Sequence, residues 1–167
     1  METGALLTHV SAAAAFLAYL VAVALQLSSF CRNRAAWTLA CLLLLLHVAC
    51  AFYHVHQWSH HAAYEATARQ TAALTGFNSG SGLWVNYAVI AVWLLDLGWW
   101  WAAPASYQSR PRLIGALIHG FLAFVWFNAT VVFGHGLIRW VGLTAWLLLI
   151  LLYFHNRRLP PETDRAG

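Results

Sequence analysis

Five long apolar stretches constrain this chain more than any other feature of its sequence. They cover residues 6–30, 36–56, 83–103, 113–133 and 137–155. Each approaches or exceeds the roughly 18–20 residues that an α-helix needs to cross the hydrocarbon core of a bilayer. Because lipid cannot hydrogen-bond to a backbone, segments of this length and polarity are stable in the bilayer only as helices. The sequence therefore predicts five transmembrane helices.

The composition agrees with a lipid environment. Hydrophobic residues make up 62% of the chain and charged residues 8%, whereas a soluble domain carries about 25% charged residues. We therefore predict an all-α polytopic membrane helix bundle that forms one integral-membrane domain over residues 1–158. Residues 57–82 are the sizeable piece outside the membrane, and residues 159–167 are a short polar tail. Residues 1–10 contain no Lys or Arg, so the first stretch is predicted to be a retained helix rather than a signal peptide.

The arginines predict the orientation, because basic residues in short loops stay on the cytoplasmic side. The connections after spans one, three and five carry, respectively, Arg32 and Arg34, Arg110 and Arg112, and Arg157 and Arg158. The opposite side carries Arg69 and Arg139. We expect the N-terminus outside, the C-terminus in the cytoplasm and residues 57–82 on the extracytoplasmic side. This pattern accounts for most of the net charge of +4, so no nucleic-acid partner is expected.

The second span has two possible continuations beyond the membrane. Residues 36–75 contain neither Gly nor Pro, so one long helix can run on to Gly76, a residue type that commonly ends helices. The alternative is a bend near Trp58 into a separate amphipathic helix. In a continuous helix, His47, His54 and His61 fall nearly in line and share their face with Cys50 and Glu65. A second stripe holds His56 and His60.

This histidine-rich region predicts a transition-metal site at the extracytoplasmic membrane boundary. Imidazoles with a carboxylate suit Zn, Fe or Cu, and an i, i+4 pair such as His61 and Glu65 places two ligands on one helix face. The predicted ligands are His54, His61, Glu65 and, from the return between the last two spans, His135, with His56 and His60 as alternatives. The competing interpretation is that these are interfacial histidines, with Glu65 and Arg69 forming an ordinary surface pair.

The stretch from His56 to His61 has the pattern His-x-x-x-His-His. It resembles one histidine box of the membrane fatty-acid desaturase and alkane hydroxylase families. The matching residues are His56, His60 and His61, and the resemblance covers six residues. Those families repeat such boxes on the cytoplasmic side to hold a di-iron centre, whereas this chain has one box on the side predicted to be extracytoplasmic.

A second group of ionisable residues lies within the predicted spans. Asp96 and His119 are each about seven residues from the cytoplasmic end of their helix, so they lie at a similar depth of roughly 10 Å and can meet. An ionisable residue in a membrane usually faces a partner, a cavity or a proton path. The pair is either an interhelical packing contact or a proton-transfer or substrate site. His47 and His119 also offer two imidazoles on different helices for a b-type haem.

Two classes of function follow from these observations. In the first, a small metal-binding membrane protein, with or without redox or hydrolytic activity, holds its metal through the histidine-rich region. In the second, a non-enzymatic membrane subunit assembles with partners as a homo- or hetero-oligomer, and Asp96 and His119 serve helix packing. A transporter is a third interpretation, although five short spans with one polar row scarcely build a path without oligomerisation.

Overall fold

The structure is a computed structural model that describes residues 2–28 and 33–158. Its described part is helical and contains no strand. In chain order the elements are α1 (Glu2–Leu27), α2 (Arg34–His54), α3 (His60–Thr75), α4 (Gly82–Ala102), α5 (Pro104–Gln108), α6 (Arg112–Phe127), a π-helical turn (Asn128–Val132) and α7 (Leu137–Arg158). The all-α fold class predicted from the sequence is confirmed.

Five helical segments are long and apolar enough to cross a membrane, which indicates an integral multi-pass membrane protein. They are Thr3–Leu27, Arg34–His54, Gly82–Ala102, Arg112–Val132 and Leu137–Asn156. Each agrees with a predicted span to within three residues at either end, where the structure describes both ends. The predicted end of the first span at Phe30, the loop residue Arg32 and the tail of residues 159–167 lie outside the described residues.

The second span does not continue as one long helix. After α2 ends at His54, Gln57 and Trp58 adopt left-handed backbone conformations with φ of 48° and 58°. Ser59 then starts α3, because its side-chain oxygen accepts a hydrogen bond from the backbone N–H of Ala62 at 3.2 Å. The continuous-helix alternative, with its single row of His47, His54 and His61, is therefore wrong, and the bend near Trp58 is confirmed. Gly76, with φ of 78°, caps the end of α3.

Aromatic rings fill the core between the spanning helices. Tyr19 of α1 stacks against Trp126 of α6 at a centroid distance of 5.5 Å and meets the edge of Trp93 of α4 at 5.8 Å. Trp93 also packs against Trp37 of α2 at 4.7 Å. All four rings are buried. Such ring pairs add to the dispersion energy of packing, so this cluster ties four helices together.

The last two spans are joined through the π-helical turn. Thr130 is buried there, and its Oγ1 accepts a hydrogen bond from Trp146 Nε1 of α7 at 3.3 Å. The Nε–H of Arg139 donates to the carbonyls of Val131 and Gly134, each at 3.0 Å. The Arg139 side chain therefore satisfies carbonyl groups that the end of the helix leaves open.

Candidate functional site

Asp96 is at the centre of a buried polar network near the end of α4. Its carboxylate forms an ion pair with Arg110, with 2.6 Å between Oδ1 and Nη1, and the exposed fractions of the Asp96 and Arg110 side chains are 0% and 4%. The other oxygen, Oδ2, accepts hydrogen bonds from Trp37 Nε1 at 2.9 Å and from the Tyr107 hydroxyl at 3.1 Å. Both carboxylate oxygens thus have donors within the chain.

The short helix α5 and the turn after it bring two of these donors, Tyr107 and Arg110, to Asp96. Pro104 starts this helix, a position where its missing N–H costs no hydrogen bond. Tyr107 stacks on the Trp100 ring with centroids 4.7 Å apart and an interplanar angle of 7°. The Arg110 guanidinium lies 3.8 Å from the centre of the Tyr107 ring, a cation–π arrangement. The segment between α4 and α6 therefore folds back over the carboxylate.

The same environment changes the acidity of Tyr107. Burial, together with the negative charge of Asp96, raises the pKa of the Tyr107 hydroxyl to about 12. A group with this pKa stays protonated in neutral solution and acts there as a hydrogen-bond donor. Tyr107 therefore holds Asp96 as a neutral donor beside the charged donor Arg110.

A second arginine joins the same end of the bundle. Arg34, at the start of α2, donates to the Trp100 carbonyl at 3.3 Å and lies 3.8 Å from the centre of the Trp101 ring. Trp101 Nε1 in turn donates to Thr38 Oγ1 at 3.1 Å. These contacts connect α2 to the last turn of α4. The arginines that the sequence marked as a topological signal also contribute to helix packing.

The predicted pair of Asp96 and His119 lies in one neighbourhood around Trp37. The His119 ring packs against the Trp37 ring with centroids 5.0 Å apart, and the same indole donates its N–H to Asp96. Asp96 and His119 therefore both contact Trp37. Whether they act together in proton transfer stays a prediction.

His47, the other residue of the predicted haem pair, faces α1. Its Nδ1 lies 3.2 Å from the Thr8 carbonyl oxygen and 3.3 Å from Ser11 Oγ. Because a carbonyl only accepts, the His47 ring N–H donates to Thr8 in this arrangement. His47 is ten residues from Trp37, or roughly 15 Å along the α2 axis, whereas His119 packs on Trp37. The structure does not bring His47 and His119 to opposite sides of one haem iron.

Of the predicted metal ligands, the structure brings His61 and Glu65 together. His61 Nε2 lies 3.7 Å from Glu65 Oε1, and the two side chains are 82% and 54% exposed. Arg69 Nη1 lies 3.9 Å from the other Glu65 oxygen. His54 is exposed at the end of α2, on the other side of the bend, where it contacts Gly4 of α1 closely. His135 is exposed in the turn before α7.

The alternative ligands His56 and His60 have aromatic surroundings. His60 Nδ1 lies 3.0 Å from the Tyr87 hydroxyl oxygen, and its ring packs against Trp84 with centroids 5.4 Å apart. Burial, with a smaller effect of the Arg69 charge, lowers the pKa of His56. Among the described residues, no group of three or more His, Cys, Asp or Glu side chains is close enough to hold a metal ion.

An open pocket of about 360 Å³ adjoins the His61 and Glu65 pair. It is lined by His61, Tyr64, Glu65, Ala68, Arg69 and Asn78. The loop after α3 forms one wall, and Gly80 is required there because a Cβ atom would collide with the backbone oxygen and ring of Tyr64. The pocket presents an imidazole, a carboxylate and a guanidinium to the surrounding medium.

Sequence reasoning found Asp96 but missed its closest partners, Trp37, Tyr107 and Arg110. A signal for Arg110 was present: a carboxylate inside a span requires compensation, and Arg110 follows Asp96 by only fourteen residues, next to Pro111. Trp37 and Tyr107 had no comparable signal, because tryptophan and tyrosine near span ends are expected as interface anchors.

Comparison with known proteins gives no further information about the site. No family model, curated protein or solved structure matches this chain.

Proposed function

We propose that this chain is a non-enzymatic, multi-pass membrane subunit that acts by assembling with partner membrane proteins. The observation that carries the proposal is the state of Asp96. A carboxylate that moves protons or binds a substrate requires access to a path or cavity. Asp96 instead accepts hydrogen bonds from Trp37, Tyr107 and Arg110, and its side chain is 0% exposed. This arrangement supports a packing role.

Other polar side chains in the spans also join helices. His47 of α2 donates to Thr8 of α1. The amide of Asn156 in α7 donates to the Leu27 carbonyl at 3.0 Å. Interhelical hydrogen bonds of this kind hold membrane bundles together, because apolar side chains gain little by leaving lipid. These polar groups therefore favour a structural role for the bundle.

The exposed face of α7 is the surface that we assign to a partner. In the most apolar part of α7, 6% of residues are buried, against 17–22% in the other four spans. Its exposed face is rich in leucine, with Leu148 60% exposed. A helix this weakly covered by its own chain leaves more of its surface open to a neighbouring protein than the other spans do, and membrane helices associate through close van der Waals packing.

Site-specific photocrosslinking in the source membranes tests this assignment. A photoreactive residue replaces Leu148 of α7 or, as matched controls, Leu39 on the exposed side of α2 and Leu122 in the buried core. We expect a discrete protein adduct at position 148 and no protein adduct at position 39 or 122. Lipid adducts at position 148, without a protein adduct, would contradict the proposal.

We also propose the orientation with the N-terminus outside and the C-terminus in the cytoplasm. The distribution of arginines supports it, since cytoplasmic loops carry the excess of basic residues. Arg34 and Arg110 both reach the end of α4, through Trp100 and Asp96 respectively. The histidine-rich bend between His54 and His60 lies at the opposite end of the bundle, near the end of α2 and the start of α4.

A transition-metal site is a second candidate function, favoured by the spacing of His61 and Glu65. Zinc, iron or copper suits this donor set. Metal analysis of protein purified without chelator tests it. We expect bound metal that is lost in His61→Ala and retained in His155→Ala, which removes an exposed histidine outside the predicted ligand set. Equal metal content in the two variants would contradict the metal site.

A further inference from the structure

The His61 and Glu65 side chains have the separation that a tetrahedral metal requires. With metal–ligand bonds of about 2.0–2.1 Å, neighbouring donor atoms of tetrahedral zinc are about 3.4 Å apart. His61 Nε2 and Glu65 Oε1 are 3.7 Å apart, so a shift of a few tenths of an ångström suffices. Their i, i+4 spacing on α3 keeps both donors on one face of a rigid element.

The described part of one chain supplies half of such a site. Structural zinc takes four protein ligands, and the described part of this chain brings no third His, Cys, Asp or Glu to the pair. The two donors are also accessible, with exposed fractions of 82% for His61 and 54% for Glu65. The adjoining pocket leaves room for a second ligand pair beside them.

A second copy of this chain supplies the missing ligands in a symmetric way. A two-fold axis along the membrane normal keeps both copies in the same orientation and brings the same surface of each to the interface. We propose that two copies of this chain bind one zinc ion between them through His61 and Glu65 of each copy. Two carboxylates and two neutral imidazoles balance the charge of Zn²⁺.

Arg69 is the group that competes with the metal for Glu65. Its guanidinium lies 3.9 Å from Glu65, and its side chain is 72% exposed. Exposed ion pairs of this kind contribute little to stability, so Glu65 can exchange Arg69 for zinc. Removing the guanidinium should therefore strengthen the site.

Zinc titration of the purified full-length protein in detergent micelles tests the inference, with the protein mass followed by light scattering. We expect conversion from monomer to dimer at half an equivalent of zinc per chain, reversed by chelator. His61→Ala and Glu65→Gln should each abolish the conversion. Arg69→Gln should shift its midpoint to lower zinc concentration.

His155→Ala is the matched control, because it removes an exposed histidine of α7 that is not among the predicted metal ligands. This variant should dimerise with zinc like the unmodified protein. Zinc-dependent dimers that persist in both His61→Ala and Glu65→Gln would overturn the inference. So would zinc binding at one equivalent per chain without any change in mass.

This inference rests on the proposed role as an assembling subunit and names a second copy as a partner. The two can fail separately. Absence of a protein adduct at position 148 would contradict the subunit role assigned to α7. The zinc-dependent dimer could still form in that case. Absence of zinc-dependent dimers alongside a protein adduct at Leu148 would overturn the zinc site alone.

Discussion

Asp96 and Arg110 form a buried ion pair, so their contributions to stability are coupled. Transfer of either charge out of water is costly, and their attraction offsets that cost only while both are present. The ion pair is 2.6 Å long, and both side chains are almost completely buried. The pair therefore fixes the position of the segment between α4 and α6.

Removing one charge of this pair should be far more harmful than removing both. We expect Asp96→Asn or Arg110→Gln alone to lower the free energy of unfolding by about 3–5 kcal/mol, because each leaves a buried charge without its partner. The double variant should lose less than the sum of the two single losses. Thermal unfolding in detergent, followed by tryptophan fluorescence, measures these differences.

Arg112→Gln is the matched control for this series, since Arg112 is exposed and only two residues from Arg110. It should change stability by less than about 0.5 kcal/mol. A double variant whose loss equals the sum of the single losses would show that the two charges do not interact.

Tyr107 gives the network a specific alkaline pH dependence. Its pKa rises from 10.0 to about 12 in the folded protein, so the folded state binds this proton more tightly than the unfolded state. The associated stability is present below pH 10 and is lost as the pH rises towards 12. We expect Tyr107→Phe to flatten the loss of stability in this window, as measured by melting temperature against pH. The exposed Tyr53→Phe variant should retain the full slope.

At the residue scale, the sequence predicted that Asp96 is a special position but did not predict which residues pair with its carboxylate. Asp96 stood out because carboxylates are rare in spans, and His119 was expected beside it from depth alone. Two of its three partners, Tyr107 and Arg110, come from a fold-back that begins with the five-residue helix started by Pro104. No periodic pattern in five residues can predict that fold-back.

At the scale of the elements, Arg139 is the side chain that makes most of the hydrogen bonds to the turn between α6 and α7. Arg139 donates to the carbonyls of Val131, Gly134 and, at 3.3 Å, Val132. The π-helical turn changes the backbone register, a feature that often occurs at special sites. The guanidinium therefore completes the hydrogen bonding of the turn.

Replacing Arg139 should loosen this connection. We expect Arg139→Leu to lower the free energy of unfolding by about 1.5–3 kcal/mol, the typical contribution of hydrogen bonds to a charged group. Arg139→Lys should have an intermediate effect, because its ammonium lacks the planar fork that reaches several carbonyls. Denaturant unfolding in mixed micelles measures both. Equal stability of the Leu variant and the unmodified protein would show that Arg139 carries no structural role.

The ends of the elements were predictable to different degrees. The spans followed from the length and polarity of apolar stretches, which membrane thickness fixes. The break between α2 and α3 could not be decided, because Gln57 and Trp58 adopt left-handed conformations that are uncommon for residues other than Gly. Ser59 was a usable helix-start signal, and it caps α3 in the structure.

In the whole molecule, the proposed orientation makes a direct prediction. In a variant without native cysteines, Ser79→Cys in the loop after α3 should react with a membrane-impermeant maleimide added outside intact cells. Ser109→Cys, next to Arg110 at the other end of the bundle, should be protected. The opposite pattern would reverse the orientation, because the two loops lie at opposite ends of the membrane-spanning helix α4.

For the chain as a whole, the architecture is predictable from the sequence, but the neighbours of its apolar faces are not. Lipid imposes a helical bundle on apolar segments, so the architecture follows from composition and span length. The composition of an exposed apolar face does not distinguish lipid from protein as its neighbour, since both are apolar, so the assignment of α7 to a partner rests on its low coverage by its own chain. Leu95 and Leu148 are both exposed leucines, and residue type alone does not tell which of them faces lipid and which faces a protein.

Mass measurement of the protein in polymer nanodiscs cut directly from source membranes tests the central claim most directly. This extraction keeps neighbouring lipids and proteins in place and requires no chosen ligand or activity. The subunit role predicts particles that contain this chain together with at least one further protein chain in a fixed ratio. Particles that contain one copy of this chain and lipid alone would contradict it.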